Sequence, residues 1–459
     1  MLAMCVTGCS SYHAQPLNKD TVEQALHPPD MAVVRVEAQN LKHPILRPIP
    51  FDERDGLSPE EAAVLAVIAN PSLRAVRDQK GIAAAQLLQA GLLPNPQLTY
   101  SLDVPTGSFP AGTVKAYGLG LNWDVTQLIT MSARVQAAAK QLEAVDLNIA
   151  WQEWQVAQAA KIAVYHLISL KAQTAIALEM DARLANNLGL VRGAADQALL
   201  SEMDLSAAET ASNEAHAKAL DLGKQCEEQR LALNRLLGVP PATQIALQPE
   251  TELPSQVVTL PATELLQDLE ERRLDLVALH RGYESEDATV RAAILAQFPR
   301  VNLGVNRSRD NTGISSVGFG VSIDLPIFDR NQGQIAQEYA TRKSLFDEYV
   351  NRVFEARSDV ATQLADLQAL NAQIETAQAG EPERQRLLET YRRAADEGQT
   401  DVVSYYTVWN NLAQQQMDIL GLKEQLAETR IALELATGRF QIDEPTAQAD
   451  VSLSPKTTP

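Results

Sequence analysis

The residues best suited to chemistry in this chain are six histidines, three cysteines and an excess of carboxylates, with 58 Asp and Glu against 39 Lys and Arg. Their spacing argues against catalysis. His13, His27, His43, His166, His216 and His280 are scattered, with no pair at the separation that brings two imidazoles to one metal. No carboxylate arrangement stands out from ordinary helix-surface charge. A phosphate-binding glycine loop and a dinucleotide fingerprint are both missing, so any energy for work must come from a partner. The expectation is a protein that is not an enzyme, with no cofactor and no metal site. His166, in an alanine-rich stretch, reads as packed or pore-lining. The net charge of -19 and pI of about 4.8 exclude nucleic acid as a partner, because phosphate binding needs a basic face. An acidic surface either keeps a protein soluble or acts electrostatically in a pore.

Cys5, Cys9 and Cys226 show neither zinc-site nor disulfide spacing. Cys226 falls in a helical pattern and reads as a small buried residue. The string Val6-Thr7-Gly8-Cys9 followed by Ser10-Ser11 resembles the lipobox of bacterial lipoproteins, in which a cysteine is exposed by cleavage and lipidated. Only Met1 to Gly8 precede it, so either translation starts further upstream or the match is accidental.

The elements that would position these groups occur twice, about 200 residues apart. Arg230-Leu231-Ala232-Leu233 leads to Gly238, and Arg430-Ile431-Ala432-Leu433 leads to Gly438. Gly118-Leu119-Gly120 returns as Gly318-Phe319-Gly320, and Pro96-Gln97-Leu98 as Pro299-Arg300-Val301. Two copies at so long a period read as one supersecondary unit duplicated, not as a solenoid. Each copy opens with two segments of period two. Leu98, Tyr100, Leu102 and Val104 alternate with Gln97, Thr99, Ser101 and Asp103, and Tyr117, Leu119, Leu121, Trp123 and Val125 with Gly118, Gly120, Asn122 and Asp124. The second copy sets Val301, Leu303 and Val305 against Asn302, Gly304 and Asn306, then Val317, Phe319, Val321, Ile323 and Leu325 against Gly318, Gly320, Ser322 and Asp324. Four strands with one apolar and one polar face follow, a pattern that a soluble one-sided sheet and a membrane barrel share.

Long helices follow each hairpin. Between Ser132 and Leu188 there is neither Gly nor Pro, and about 57 residues make a rod of roughly 85 Å. Val135, Leu142, Val145, Ile149, Ala160, Val164, Leu167 and Ile168 recur at helical steps and predict tight packing on neighbouring helices. A break is expected at Gly189 to Gly193, a turn near Ala198, and a return helix to Leu237. The second copy predicts a break at Gly380-Glu381-Pro382 and a turn at Gly398. Ser58-Pro59-Glu60-Glu61 predicts a capped helix start. Trp151 and Trp154 read as helix packing, and Tyr405, Tyr406 and Trp409 as either packing or tip contacts. No run reaches the 18 or more apolar residues of a spanning helix, so a membrane crossing would have to be a closed barrel.

From about Leu57 to Phe440 this order of elements resembles the TolC-like family of outer-membrane efflux proteins. The string Leu325-Pro326-Ile327-Phe328-Asp329-Arg330-Asn331-Gln332-Gly333-Gln334, where the fourth strand hands over to a helix, resembles most the CzcC-like heavy-metal branch. The resemblance implies a mainly α fold with a membrane β-barrel: a homotrimer whose three chains close twelve strands in the outer membrane, continued by a long α-helical barrel in the periplasm. It implies Gly118, Gly120, Asn122, Asp124, Gly318, Gly320, Ser322 and Asp324 toward the lumen and the apolar face toward outer-membrane lipid. It implies a lipid anchor at Cys9, and a periplasmic mouth, gate or adaptor contact at Ala198, Leu199, Glu202, Asp204, Gly398, Gln399 and Asp401. Ala198 stands where the second copy has Gly398, which predicts a first turn of different shape. Ser404 and Thr407 stand near where family members carry gate acids, leaving Asp401, Asp204 and Glu202 as acidic candidates or as helix caps. The partners implied are a periplasmic adaptor (membrane fusion protein) and an inner-membrane pump of the resistance-nodulation-division type.

The domain reading is a residual lipoprotein signal over 1–9, an extended arm over 10–57, and a first repeat over 58–240 with strands about 97–104 and 117–125 and helices about 58–92, 132–188 and 201–237. A linker covers 241–270. The second repeat covers 271–440, with strands about 300–306 and 316–325 and helices about 284–297, 334–379, 382–397 and 401–437, before a flexible tail over 441–459. Two rival functions remain at this stage: an outer-membrane channel for type I protein secretion, and a soluble periplasmic coiled-coil structural lipoprotein.

Overall fold

The structure, a computed structural model, describes residues 12–52, 54–108, 110–397 and 402–440. Cys5 and Cys9 and the tail after Phe440 lie outside the described residues. The chain begins with two short helices, α1 (Lys19–Ala25) and α2 (Met31–Gln39), where an extended arm was expected. Asn18 and Thr21 form a capping box on α1, and Asp30 caps α2 through the Ala32 amide at 2.9 Å. Val34 and Ala38 of α2 are buried against Phe51, Leu65 and Val164. The arm is thus docked by its own small apolar face.

The expected helix over 58–92 is two helices, α3 (Pro59–Ala69) and α4 (Pro71–Ala90). The reason is Asn70-Pro71. A residue before proline is driven out of the helical region, and Asn70 sits at φ -58°, ψ 121°. Its side chain accepts from the Ser72 amide at 2.8 Å and donates to the Leu236 carbonyl at 2.9 Å, which ties the joint to the far end of the repeat. Glu61 and Ser58 form the capping box that starts α3.

β1 (Gln97–Asp103) and β2 (Ala116–Asp124) follow, then α5 (Gln127–Asp196) and α6 (Glu202–Leu236). At 70 residues, α5 spans about 105 Å at 1.5 Å per residue. It runs without interruption through Gly189 and Gly193, where a break was expected. Each glycine costs an exposed helix about 1 kcal/mol relative to alanine. Leu184 and Val191, buried on the same helix, hold it together through that stretch.

The segment read as a linker contains α7 (Ala262–Leu266) and α8 (Leu269–Arg272), whose Leu265 and Leu269 are fully buried. α9 (Leu274–Leu295) starts ten residues before the expected position, at Leu274 instead of 284. The second hairpin is β3 (Val301–Arg309) and β4 (Ser315–Ile323). α10 (Gln332–Ala379), α11 (Glu381–Asp396) and α12 (Val402–Thr437) complete the second repeat.

The strands form one antiparallel sheet in the order β1-β2-β3-β4, so the two repeats meet where β2 pairs with β3. Below the sheet they meet again across α5 and α12. Lys161 Nζ donates to Glu434 Oε2 at 2.8 Å, and Gln158 Nε2 to the same oxygen at 3.0 Å, all three side chains being buried. Trp151 and Trp154 are core residues, with Arg273 stacked 5.1 Å over the Trp151 ring. Gly238 and Gly438 end α6 and α12 alike at φ 64°, with the next amide reaching back to the carbonyls of Asn234 and Glu434 respectively. At Gly238 an added Cβ would collide with the Ala69 carbonyl.

Candidate functional site

The sheet register sorts the strand residues into rows. Ser101, Gly118, Ser308 and Ser316 form one, Thr99, Gly120, Asn306 and Gly318 the next, and Gln97, Asn122, Gly304 and Gly320 the third. Within these rows Ser101, Thr99, Asn122 and Asn306 lean over Gly118, Gly120, Gly304 and Gly318. A Cβ on Gly120 would lie 2.6 Å from Thr99 Oγ1, and one on Gly318 would collide with Asn306 Oδ1. The polar face is therefore smooth and close to the backbone. Asp124 stands at its lower edge and accepts from the Thr126 amide at 2.9 Å, just ahead of α5. Asp324 is exposed just past the end of β4, its amide bonded to the Arg300 carbonyl at 2.9 Å.

The other face carries Leu98, Tyr100, Leu119, Leu121, Val305, Val317, Phe319, Val321 and Ile323, all exposed; Phe319 is 71% exposed and Val317 75%. An apolar patch of that extent on one sheet face needs a nonpolar environment. Because β3 runs to Arg309 instead of ending near 306, Arg307 and Arg309 fall on this same face, opposite Leu119 and Val317, and Tyr117 and Ser315. The sequence reading missed both. At the opposite end Trp123 Nε1 donates to the Pro94 carbonyl at 2.8 Å, which anchors the sheet to the helices.

The first helical tip departs from expectation. Ala198 adopts the left-handed backbone itself, at φ 55°, with its amide on Ala195 O at 2.8 Å and the Leu199 amide on Ala194 O at 3.0 Å. The turn keeps the shape a glycine would give it, and the strain of the Cβ is borne by the hydrogen-bonded cap. Asp204 accepts from the Ser201 amide at 3.1 Å and from Ser201 Oγ at 2.6 Å, closing a capping box, while Glu202 is exposed in the same first turn. Leu199 and Met203 project from this tip, 72% and 79% exposed. Gly398, Gln399 and Asp401 lie outside the described residues. Trp409 is a core residue, with Arg183 5.3 Å over its ring, so it is no tip contact. Tyr405 and Tyr406 meet edge to face at 5.1 Å.

Midway along the helices the fold assembles a cluster that sequence spacing could not show. His166 Nδ1 of α5 lies 2.9 Å from Glu424 Oε1 and 4.0 Å from Glu428 Oε1 of α12. Hydrogen bonding to Glu424, then to Glu428, holds the imidazole proton up to about pKa 9. The available signal was Glu424 and Glu428, one turn apart on one helix face, but their partner comes from a helix more than 250 residues away. His216 makes a separate contact, its Nδ1 3.0 Å from Asp181 Oδ2. Cys226 is half-buried on α6.

Residues 265–439 match the model of the family described as outer membrane efflux protein. The cobalt-zinc-cadmium resistance protein CzcC of Cupriavidus metallidurans is 23% identical over 328 residues, 71% of this chain and 76% of that protein. Among solved structures, CusC superposes with a TM-score of 0.70 at 19% identity, covering 86% of this chain and 97% of that one. VceC of Vibrio cholerae gives 0.68 at 19% identity, covering 83% and 96%. MtrE of Neisseria gonorrhoeae gives 0.68 at 19% identity, covering 87% and 97%. The second repeat is thus matched in sequence by the outer membrane efflux protein family, and the chain shares the fold of these solved outer-membrane proteins over most of its length.

Proposed function

We propose that three copies of this chain form a passive exit duct in the outer membrane, through which cargo delivered by an inner-membrane pump and a periplasmic adaptor leaves the cell. The observation that carries the reading is the two-faced sheet. Its Gly, Ser, Asn and Thr rows suit a water-filled lumen, and its exposed Leu, Val, Phe and Ile rows suit lipid. The basic side chains Arg307 and Arg309 at the rim of the apolar band suit headgroups.

Among the described residues β1 and β4 have no outer neighbour, and open strand edges cannot stand in hydrocarbon. Three sheets joined edge to edge, twelve strands in all, would satisfy every edge. The exposed stripe Tyr339, Phe346, Val350 and Phe354 along α10 offers a second, helical surface for the same trimer contact. A soluble coiled-coil lipoprotein would leave the apolar sheet face in water, and that reading is set aside for this reason.

The tip with Ala198, Leu199, Glu202 and Asp204 is the proposed adaptor contact, its exposed Leu199 and Met203 supplying apolar anchors. Gly398, Gln399 and Asp401 are proposed for the matching tip of the second repeat, and Cys9 for a lipid anchor. The cargo is proposed to include divalent heavy-metal cations, by likeness to the cobalt-zinc-cadmium resistance protein. Single-channel conductance in a planar bilayer, with the mass of the detergent-solubilised protein, tests the duct. Discrete conductance from a trimer is expected. A folded monomer or dimer that never conducts would overturn it.

A further inference from the structure

We infer that His166, Glu424 and Glu428 form a binding site for a borderline divalent transition-metal cation of the zinc type in the wall of the helical cylinder. The inference deepens the proposed duct, because it gives a cargo cation a place to pause on its way through.

The donor set is one imidazole nitrogen and two carboxylate oxygens, the mixture that zinc and its neighbours accept and that leaves further coordination positions open. His166 Nδ1 is the ligating atom once the proton it shares with Glu424 is released to solvent as the ion binds; it lies 2.9 Å from Glu424 Oε1 and 4.0 Å from Glu428 Oε1, and the three donor atoms all lie within 4.8 Å of one another. Ligands about 2.0–2.1 Å from a tetrahedral ion stand about 3.3 Å apart. The two spacings from Nδ1 straddle that value and the carboxylate oxygens lie within 4.8 Å of each other, so side-chain movements of about 1–1.5 Å would close the three donors on one ion.

The backbone already fixes the arrangement. Glu424 and Glu428 are one turn apart on α12 and share a face, where two like charges repel unless a cation lies between them. α5 packs against that face and brings the imidazole. The side chains are 38% (His166), 14% (Glu424) and 39% (Glu428) exposed, open enough for an ion to enter and leave without unfolding. Such a site exchanges its ion and does not build the fold around it.

The test uses the full-length trimer in detergent, with Zn²⁺ as titrant in equilibrium dialysis and Co²⁺ as a spectroscopic substitute. One tight Zn²⁺ per chain is expected beyond what His166→Gln binds. His166→Gln and Glu424→Gln should each weaken that ion about tenfold or more, given that losing even an outer-shell partner of a metal ligand costs 10–100-fold. His216→Gln should bind like the parent. Imidazole-coordinated Co²⁺ should give a visible spectrum that His166→Gln abolishes, and trimer mobility on a gel verifies that each variant is assembled. Should Glu424→Gln fail to assemble, Glu428→Gln replaces it in the same titration. Zn²⁺ binding that survives His166→Gln unchanged, or that Mg²⁺ displaces at equal concentration, would overturn the site and leave only surface charge. The site and the duct can fail separately: a trimer that binds Zn²⁺ but never conducts refutes the duct alone, and one that conducts but binds no Zn²⁺ refutes the site alone.

Discussion

Phe319 and Gly320 are adjacent on β4 and belong to opposite faces, Phe319 paired with Val305 in the apolar row and Gly320 with Gly304 in the polar row. The same charge placed at each site therefore asks which face meets lipid. Phe319 lies in the middle of the band that runs from Val317 to Ile323, where an arginine facing hydrocarbon costs about 2–4 kcal/mol per chain. A trimer carries three copies, so Phe319→Arg is expected to remove about 6–12 kcal/mol from the assembled barrel. That is comparable with the whole stability of an ordinary domain. At Gly320 a new Cβ has nothing within 4 Å, so the backbone there accepts a side chain, and Gly320→Arg adds three positive charges to the proposed lumen. Heat-resistant trimer in the outer-membrane fraction, read on gels at matched expression, should be lost for Phe319→Arg and kept for Gly320→Arg. In planar bilayers Gly320→Arg should conduct less and favour anions. Trimer yields that are equal for the two variants, or a Phe319→Arg protein that assembles normally, would refute the assignment of faces.

Other consequences are local. Ala198→Gly removes a left-handed non-glycine residue and should stabilise the first tip by roughly 1 kcal/mol, seen as slower amide exchange around 194–200; unchanged or faster exchange there would mean the cap carries no strain. Lys161→Met takes the ammonium from the buried Glu434 carboxylate, leaving it Gln158 and Arg430, and Glu434→Leu takes the carboxylate from the buried ammonium. Each should cost about 3–5 kcal/mol, while the double variant recovers most of the loss. Rates of thermal unfolding in detergent would measure this, and additive losses would show that the pair is not coupled. Burial holds the His43 pKa below its ordinary 6.5, with Nε2 on the Ala150 carbonyl at 2.9 Å and Nδ1 accepting from the Ile45 and Leu46 amides. The unfolded arm therefore binds the extra proton. Arm docking should be fully stable above pH 6.5 and weaken as pH falls below it. Limited proteolysis within residues 12–50 should speed up at pH 5 relative to pH 7.5, and equal rates would contradict the neutral, buried histidine.

What could be read from the sequence was whatever a short stretch of chain decides by itself. The alternation of Leu98, Tyr100 and Leu102 with Thr99 and Ser101, and its echo around Gly318 and Gly320, displayed two-faced strands before any pairing was known. The features that escaped depend on distant neighbours. β3 reaches Arg309 because β2 and β4 are there to pair with it, which turned two arginines onto the apolar face. Helix propensity suggested a break at Gly189 and Gly193, but the packing around Leu184 and Val191 outweighs it. The Asn70-Pro71 joint was a local signal, outvoted by the periodicity on either side. His166 and its two glutamates could not be assembled in advance, since nothing in the chain announces which face of α5 meets α12.

The unbroken course of α5 has a consequence for how such a chain can change over time. One residue inserted anywhere between Gln127 and Asp196 would turn everything beyond it by about 100° and push it 1.5 Å further along the axis. The tip at Ala198 would then present a different side to whatever docks there. The second repeat has a joint at Gly380, between α10 and α11, where a gained or lost residue can be taken up within a turn. Length variation among natural relatives should therefore gather near that joint and be nearly forbidden along α5, which makes the first repeat the ruler against which the other is adjusted.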